Sequence, residues 1–439
     1  MRSSYRYAVT VAALVLALSA CGTSNKIGST VKGTRVAILD QAQKIESDSD
    51  LKNTKPNLPQ IQVVKGWLQT GYSLTNLTPN AAIDAHPKQI WSSGIGAGSN
   101  DFPLLARPVV GGGMLFTMDS EGLVRAFDAN SGDRSWEFDT TPQDRDGAAM
   151  GGGLGYDSGH LYATTGFGDV LALNAADGKI IWRKELLNPI RAAPAIANGR
   201  LYVVTIDNEL QALDAHTGEV LWHHRGIAEN ATLMGASNPA ITTDGIIVAY
   251  SSGEIFNLRP ENGRVAWSYM LTVPTQVGAM PAISDIRGLP VVDQGRVYAI
   301  SHSGRIAAID ERTGDRAWEA DIGSINTPIV AGDAIFVLSA DGVLVALARD
   351  SGRVMWVHEL PKFADPDDHD SDHVFWVGPL LAANRLWLGN SQGQLVSFDA
   401  ENGNQLDSID LGDPIYIPPI VANNTMYVVV DDGRVVALR

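Results

Sequence analysis

The chain has 439 residues, of which 45% are hydrophobic and 19% are charged, and it carries 44 glycines and a single cysteine. The formal net charge is −16 and no cluster of lysine and arginine occurs, which argues against a nucleic-acid-binding protein. One cysteine excludes an internal disulfide. The glycine content and the hydrophobic fraction are typical of a globular all-β protein with many turns.

The first 20 residues have the pattern of a secretory signal peptide. Arg2 and Arg6 precede an apolar stretch at residues 8–18, which is too short for a stable transmembrane helix. The signal ends in Leu-Ser-Ala-Cys21, which resembles the lipobox of bacterial lipoproteins. That resemblance implies cleavage before Cys21 and acylation of its sulfur, and Gly22 in the next position implies an outer-membrane address. An ordinary signal peptide with an incidental cysteine is the alternative.

The segment after the signal is polar and lacks the repeat described below. We therefore predict that residues 21–65 form a lipidated, flexible tether and that residues 66–439 form the folded domain. An irregular lead-in within residues 56–86 is expected to pack on that domain.

Seven tryptophans recur at intervals of roughly 45 residues, which is a repeat length typical of β-propeller blades. In the copy that ends at Trp182, an apolar segment at residues 170–173 is followed by an Asp-Gly turn at Gly178 and then by the tryptophan. Two further strand signals precede each copy, so that each unit predicts four antiparallel strands. A β-solenoid is the alternative, but its repeats are shorter. The seven tryptophans are Trp91, Trp136, Trp182, Trp222, Trp267, Trp318 and Trp356.

The two ends of the repeat complement each other. The last copy, residues 433–439, stops before its final strand, whereas residues 88–93 supply a strand with no preceding copy. Pairing of these segments would remove an exposed sheet edge. We predict an all-β fold, an eight-bladed β-propeller of four-stranded antiparallel blades that is closed by pairing of the N- and C-terminal segments.

The sharpest polar cluster is the segment 365–373, Asp-Pro-Asp-Asp-His-Asp-Ser-Asp-His. Its side chains suit Ca²⁺ or Zn²⁺, but an EF-hand frame starting at Asp368 has His373 where glycine is needed, and a solvated loop is favoured. A zincin-like string starting at His358 has Lys362 in place of its second histidine. We therefore predict no catalytic residue, no metal site and no cofactor.

The repeat motif carries a resemblance to a known family. Leu213, Asp214, Thr217, Gly218 and Trp222 form the pattern Leu-Asp-x-x-Thr-Gly-x-x-x-Trp, which resembles the repeat of pyrroloquinoline quinone (PQQ) proteins. That repeat occurs in quinoprotein dehydrogenases and in non-enzymatic relatives. An eight-bladed lipoprotein of this length is similar to the BamB-like outer-membrane assembly lipoproteins.

This resemblance implies a non-enzymatic scaffold on the periplasmic face of the outer membrane, held there by acyl chains on Cys21. Its implied partners are the large barrel subunit of the β-barrel assembly machinery and unfolded outer-membrane protein clients, with no nucleic acid. A PQQ-dependent dehydrogenase is an alternative, although such enzymes typically carry adjacent disulfide-bonded cysteines, which this chain lacks. A propeller that serves in ligand binding or adhesion is a further alternative.

The resemblance also implies a partner-binding site. The family loop Leu-x-Leu-Arg-Gly-x-Ser-x-Pro matches residues 231–239, where Met234 replaces the arginine. A second family loop, Asp-x-Asp, matches only at Asp285, because Arg287 stands at its other position. The alternative is that Leu233 belongs to a blade core and that Asp285 is a turn residue. The implied partner-binding set is Leu233, Met234, Gly235, Ser237 and Asp285.

Overall fold

The computed structural model describes residues 44–52, 54–98, 103–145, 147, 149–229, 233, 235–271, 285–368 and 370–439. Cys21 and the signal peptide lie outside these residues. The secondary structure of the described part is entirely β, and it contains no helix that could cross a membrane. Residues Ile45–Arg439 form one compact unit.

The described residues form 32 strands in eight sheets of four strands each. The outer strand of the last blade comes first in the chain, as β1 (Gln89–Gly94). Blade 1 contains β2 (Val109–Gly111), β3 (Met114–Met118), β4 (Leu123–Asp128) and β5 (Arg134–Asp139). Blade 2 contains β6 (Gly152–Asp157), β7 (His160–Thr165), β8 (Asp169–Asn174) and β9 (Ile180–Glu185). Blade 3 contains β10 (Ala195–Ala197), β11 (Arg200–Val204), β12 (Glu209–Asp214) and β13 (Val220–Arg225). Blade 4 contains β14 (Ala240–Ile241), β15 (Ile246–Ala249), β16 (Glu254–Leu258) and β17 (Val265–Met270).

The second half of the ring repeats this order. Blade 5 contains β18 (Val291–Asp293), β19 (Arg296–Ser301), β20 (Arg305–Asp310) and β21 (Arg316–Ala320). Blade 6 contains β22 (Ile329–Ala331), β23 (Ala334–Leu338), β24 (Val343–Ala348) and β25 (Val354–Glu359). Blade 7 contains β26 (Trp376–Ala382), β27 (Arg385–Asn390), β28 (Gln394–Asp399) and β29 (Gln405–Asp410). Blade 8 contains β30 (Ile420–Ala422), β31 (Thr425–Val430) and β32 (Arg434–Leu438), to which β1 adds the fourth strand.

In blades 1 to 7 the strands follow chain order from the centre of the ring to its rim, and in blade 8 the rim strand is β1. The second and third strands are apolar and buried because neighbouring blades cover both of their faces. The fourth strand lies at the rim, and in β13 half-buried and exposed positions alternate along most of its length. The predicted eight-bladed propeller is confirmed.

The ring closes as predicted from its two ends. Strand β1 pairs antiparallel with β32, with Ser92 opposite Val436. The amide of Lys88 donates to the carbonyl of Arg439 at 2.8 Å, and the amide of Arg439 donates back to Lys88 at 2.8 Å. The free edge of the last blade is thereby covered.

Each repeat tryptophan joins its own blade to the next one. The indole nitrogen of Trp182 donates to the carbonyl of Ala215 at 3.1 Å, and its ring covers Gly218 in the neighbouring turn. A Cβ on Gly218 would lie 2.7 Å from the ring, and φ is +75° there, so the turn needs glycine on both counts. The same packing pairs Trp91 with Gly132, Trp136 with Gly178, Trp222 with Gly263, Trp267 with Gly314, Trp318 with Gly352 and Trp356 with Gly403.

A segment before β1, residues 57–84, spans one end of the ring centre, and we call it the plug. The amides of Tyr156, Ile241 and Val292 donate to carbonyls of the plug at distances of 2.6 to 2.9 Å, at the ends of three different inner strands. Further bonds reach the inner strands of the other blades, or the turns that follow them, through Val110, Ile196, Asp333, Leu381 and Asn423.

The plug begins within the stretch that composition predicted as tether. Val64 is buried, and Asn57 and Lys55 are bonded to the ring, so the described residues 54–65 lie on the propeller. The predicted boundary at residue 66 is therefore too late. An irregular lead-in within residues 56–86 was expected to pack on the domain, but its contacts with each blade were not predicted, because most of the bonds use the backbone, which every residue type provides.

Aspartates cap the turns between the third and fourth strands. Oδ1 of Asp214 accepts the amides of His216 and Thr217 at 2.8 and 2.9 Å. Asp128 and Asp310 cap their turns in the same way. The backbone amide three residues after each aspartate donates a hydrogen bond to its carboxylate, and this bond holds the pKa of the carboxyl below its usual range.

Loss of stability in acid is expected from these caps. A folded-state pKa below the unfolded value contributes stability that is present above the unfolded pKa and is lost as the pH falls through the folded pKa. We expect the midpoint temperature of thermal unfolding to decrease as the pH is lowered from about 5 to about 3. The triple variant D128N/D214N/D310N should lose less over that range, as measured by circular dichroism. Asn174 caps the equivalent turn of blade 2 and shows that asparagine fits. An equally steep loss in the triple variant would contradict this role.

Candidate functional site

The centre of the ring encloses a cavity of about 980 Å³ that is lined by residues from all eight blades. Most of the lining comes from loops that lead into the inner strands, such as residues 103–107, 191–193 and 416–418. Thr70 of the plug also contributes to the lining. The cavity is therefore a lumen that the plug closes at one end, and the loops before the inner strands form its mouth.

The two loops implied by the resemblance meet at this mouth. The amide of Leu233 donates to Oδ2 of Asp285 at 2.7 Å, which ties the loop before blade 4 to the loop before blade 5. The hydroxyl of Ser237 donates to the carbonyl of Gly288 at 3.1 Å, which adds a second tie. Met234 lies outside the described residues. The structure thus brings Leu233, Gly235, Ser237 and Asp285 together.

These four residues differ in their accessibility. Asp285 and Ser237 are 4% and 2% exposed, whereas Leu233 and Gly235 are only half-buried. Burial raises the pKa of Asp285, and the bond from the Leu233 amide and the charge of Arg287 oppose that shift. Asp285 and Ser237 are consequently suited to fix the loops, and only Leu233 and Gly235 reach the surface.

Sequence reasoning missed the cationic groups of the lumen. Arg107, Arg191 and Arg287 line it from blades 1, 3 and 5. Nη1 of Arg107 donates to the carbonyl of Thr70 in the plug at 3.3 Å. Burial and the nearby charge of Arg287 lower the pKa of Arg107 to about 10. Arg287 also packs on Gly235, where a Cβ would lie 3.0 Å from its Nε.

A repeat position could have revealed part of this lining. Arg191 and Arg287 both stand three residues before a proline that leads into an inner strand, at Pro194 and Pro290. The residues at the same position in other blades also line the lumen. They are Leu105, Ala236, Ile325, Trp376 and Tyr416.

The acidic segment 365–373 lies near the mouth as a loop that is bonded to itself. Phe363 and His373 form a bridge at its base, and Oγ of Ser371 donates to the carbonyl of Asp368 at 2.6 Å. His369 lies outside the described residues. Among the residues that are described, no group of three or more His, Cys, Asp or Glu side chains is placed to hold a metal ion.

Comparisons with known proteins point to one family. A family model described as outer membrane protein assembly factor BamB matches residues 120–358 and 366–439. The chain is 31% identical over 357 residues to the BamB protein of Salmonella typhimurium. This alignment covers 80% of this chain and 88% of that protein. It is 31% identical over 400 residues to the BamB protein of Xanthomonas campestris. That alignment covers 87% of this chain and 95% of the Xanthomonas protein.

Solved structures with the same fold include BamB proteins and quinoprotein dehydrogenases. BamB from Moraxella catarrhalis superposes with a TM-score of 0.68 at 20% identity, covering 80% of this chain and 99% of that one. Quinohemoprotein alcohol dehydrogenase from Comamonas testosteroni superposes with a TM-score of 0.65 at 15% identity, covering 85% of this chain and 80% of that one. At these identities, both likenesses show the propeller fold alone.

Proposed function

Because the chain belongs to the family of the outer membrane protein assembly factor BamB, we propose that it is a non-catalytic scaffold in outer-membrane protein assembly. The observation that carries this proposal is the family match, which covers more than half of the chain. Curated relatives that carry the same name align along most of their length. Alcohol oxidation by the purified protein with added quinone and Ca²⁺ would contradict the non-catalytic part of the proposal.

The proposed location follows from the N-terminal sequence. Cleavage before Cys21 and acylation of its sulfur would anchor the protein, because two or three acyl chains hold a protein stably on a membrane. The ring would then face the periplasm from the inner leaflet of the outer membrane. The large barrel subunit and its unfolded clients are the partners that this location makes available.

We assign the contact with the large barrel subunit to the paired loops at the lumen mouth. Their geometry supports this, because the two buried ties at Asp285 and Ser237 fix the loops before any partner arrives. Preorganised loops lose less conformational entropy on binding. The half-buried Leu233 supplies an apolar anchor at the surface of this arrangement.

Replacing Leu233 with glutamate tests this assignment. A charge at an apolar anchor must be desolvated without a partner, so we expect binding to the barrel subunit to weaken at least about tenfold. The measurement is the amount of barrel subunit that co-purifies from native membranes, with surface plasmon resonance on the purified pair. The control is L406E, which puts the same charge on a leucine that is 45% exposed on the rim strand β29, away from the lumen mouth.

The buried tie provides an independent check on the same contact. D285A should weaken binding by freeing the loop, whereas D285N keeps an acceptor oxygen for the Leu233 amide and should largely restore it. Unchanged co-purification of L233E would rule out this contact. A loss of binding in L406E equal to that in L233E would show that the effect is not local.

A further inference from the structure

The plug extends the sheet of blade 7 towards the axis of the ring. The amide of Ala81 donates to the carbonyl of Leu381 at 3.2 Å, and the carbonyl of Ala81 accepts the amide of Ala383 at 2.9 Å. On the other side of Ala81, Gln62 pairs with the same plug segment in parallel, through two backbone bonds of 2.8 and 2.9 Å. Residues 60–64 are therefore the last strand of an extended sheet, and we call them the plug strand.

The outer edge of the plug strand is free. Gln62 uses both of its backbone groups on the inner edge, so the groups of its two neighbours in an extended strand point to the outer edge. No described residue bonds to the backbone amide or carbonyl of Ile61 or Val63. Their side chains are 48% and 61% exposed. Such an edge offers unpaired donors and acceptors to another chain.

The plug strand also lacks the charges and prolines that commonly protect an edge strand. Its sequence is Gln-Ile-Gln-Val-Val. The rim strand β9 contains isoleucines of similar exposure, Ile180 and Ile181 at 47% and 48%, but three of its six residues are charged. Pro59 and Lys65 bound the plug strand, which limits the length over which another strand can pair with it.

The free edge lies at the closed end of the ring, opposite the lumen mouth. The plug bonds to the ends of inner strands, whereas Leu233 and Asp285 lie in loops that lead into inner strands. A partner on the mouth loops would therefore leave the plug strand accessible. Residues 57–84 also precede the residues that the family model matches.

The chemistry of the edge specifies its partner. Main-chain bonds to Ile61 and Val63 require an extended chain, which any residue type except proline can provide. One face of the plug strand carries these two apolar side chains, and the other carries Gln60 and Gln62. A partner with alternating apolar and polar residues matches both faces. The strands of outer-membrane barrels have this alternation.

We propose that the plug strand binds unfolded outer-membrane protein clients by adding one of their amphipathic strands to its free edge. This inference rests on the proposed function and assigns the client site within it. The amides and carbonyls of Ile61 and Val63 hold the added strand, and their side chains pack on its apolar face. The client and the barrel subunit then occupy opposite ends of the ring.

A labelled peptide of about ten residues, the length of a barrel strand, tests the site on the purified mature protein. The peptide alternates valine and threonine, and fluorescence anisotropy measures its binding. We expect saturable binding below millimolar concentration. A peptide of the same composition with its valines grouped together should bind at least about tenfold more weakly. A peptide with N-methylated backbone amides should not bind, because it has no donors.

Variants separate the plug strand from other edges. V63P removes a free donor and should weaken peptide binding at least about tenfold. It should unfold at the native temperature, because no described residue bonds to the amide of Val63. I61K/V63K should weaken binding as much, because charge protects an edge, and it serves as the test if V63P does not fold. The matched control is I180K/I181K, which makes the same change on β9 and should leave binding unchanged.

Several results would overturn the proposal. They are the absence of saturable binding at millimolar peptide, equal binding of the grouped or N-methylated peptide, and an equal loss in I180K/I181K. A dimer that V63P abolishes would assign the edge to a second copy of this chain, and peptide binding only after deletion of residues 22–43 would assign it to that segment. Either result also overturns the proposal. L233E should bind the peptide normally, which distinguishes failure at this site from failure of the barrel-subunit contact.

Discussion

Replacing Gly218 with alanine should lower the free energy of unfolding of the propeller by about 3 kcal/mol or more. Two costs add at this position. The φ of +75° costs an L-residue about 1–2 kcal/mol, and a Cβ placed 2.7 Å from the ring of Trp182 forces the indole to move. An indole that moves also loses its bond to the carbonyl of Ala215 in the next blade. The measurement is urea unfolding followed by circular dichroism and tryptophan fluorescence.

A second glycine separates the two costs. Gly199 has nearly the same φ, +72°, but a Cβ there would meet nothing within 4 Å. G199A should therefore lose only the backbone cost of about 1–2 kcal/mol. In the double variant W182A/G218A the clash is absent, so the two single losses should not add. Equal destabilisation by G199A and G218A would mean that the indole does not constrain the turn.

The blades were predictable because their packing is periodic. Tryptophan and glycine recur at a fixed spacing since each interface between blades uses the same pair, as at Trp182 and Gly218. Closure was predictable for the same reason, because the missing strand of the last copy matched the spare strand that became β1. A repeated contact leaves a repeated signal in the sequence.

The lumen lacks such a signal, and the plug was expected only as an irregular lead-in that packs on the domain. Residues 57–84 bond mainly through backbone groups, which do not select residue types. Arg107 and Arg287 are distant in sequence, and both line the lumen only because the ring brings loops of different blades together. Leu233 and Asp285 were both identified only through the family resemblance, and neither the hydrogen bond between them nor the burial of Asp285 was predicted.

Arg349 is another residue that periodicity conceals, and it joins blade 5 to blade 6. It follows Ala348, which stands where other copies have a capping aspartate such as Asp310. Its side chain is 8% exposed and lies 2.6 Å from Oδ2 of Asp293. The guanidinium also donates to the hydroxyl of Tyr298 and to the carbonyl of Gly332, both at 3.0 Å. The departure at Ala348 marks the site in the sequence, but nothing there shows that the next side chain turns inward.

Replacing Arg349 with methionine should destabilise the protein by about 3–5 kcal/mol, because removal of one partner leaves a poorly solvated carboxylate and a carbonyl without their donors. R349K keeps the charge but loses the planar guanidinium with its several donors, so its loss of unfolding free energy should be intermediate. The control is R434M, which breaks the half-exposed pair of Arg434 with Asp413 and should cost less than about 1 kcal/mol. Urea unfolding measures all three variants. If R349M unfolds at the same urea concentration as R434M, the buried guanidinium does not hold these two blades together.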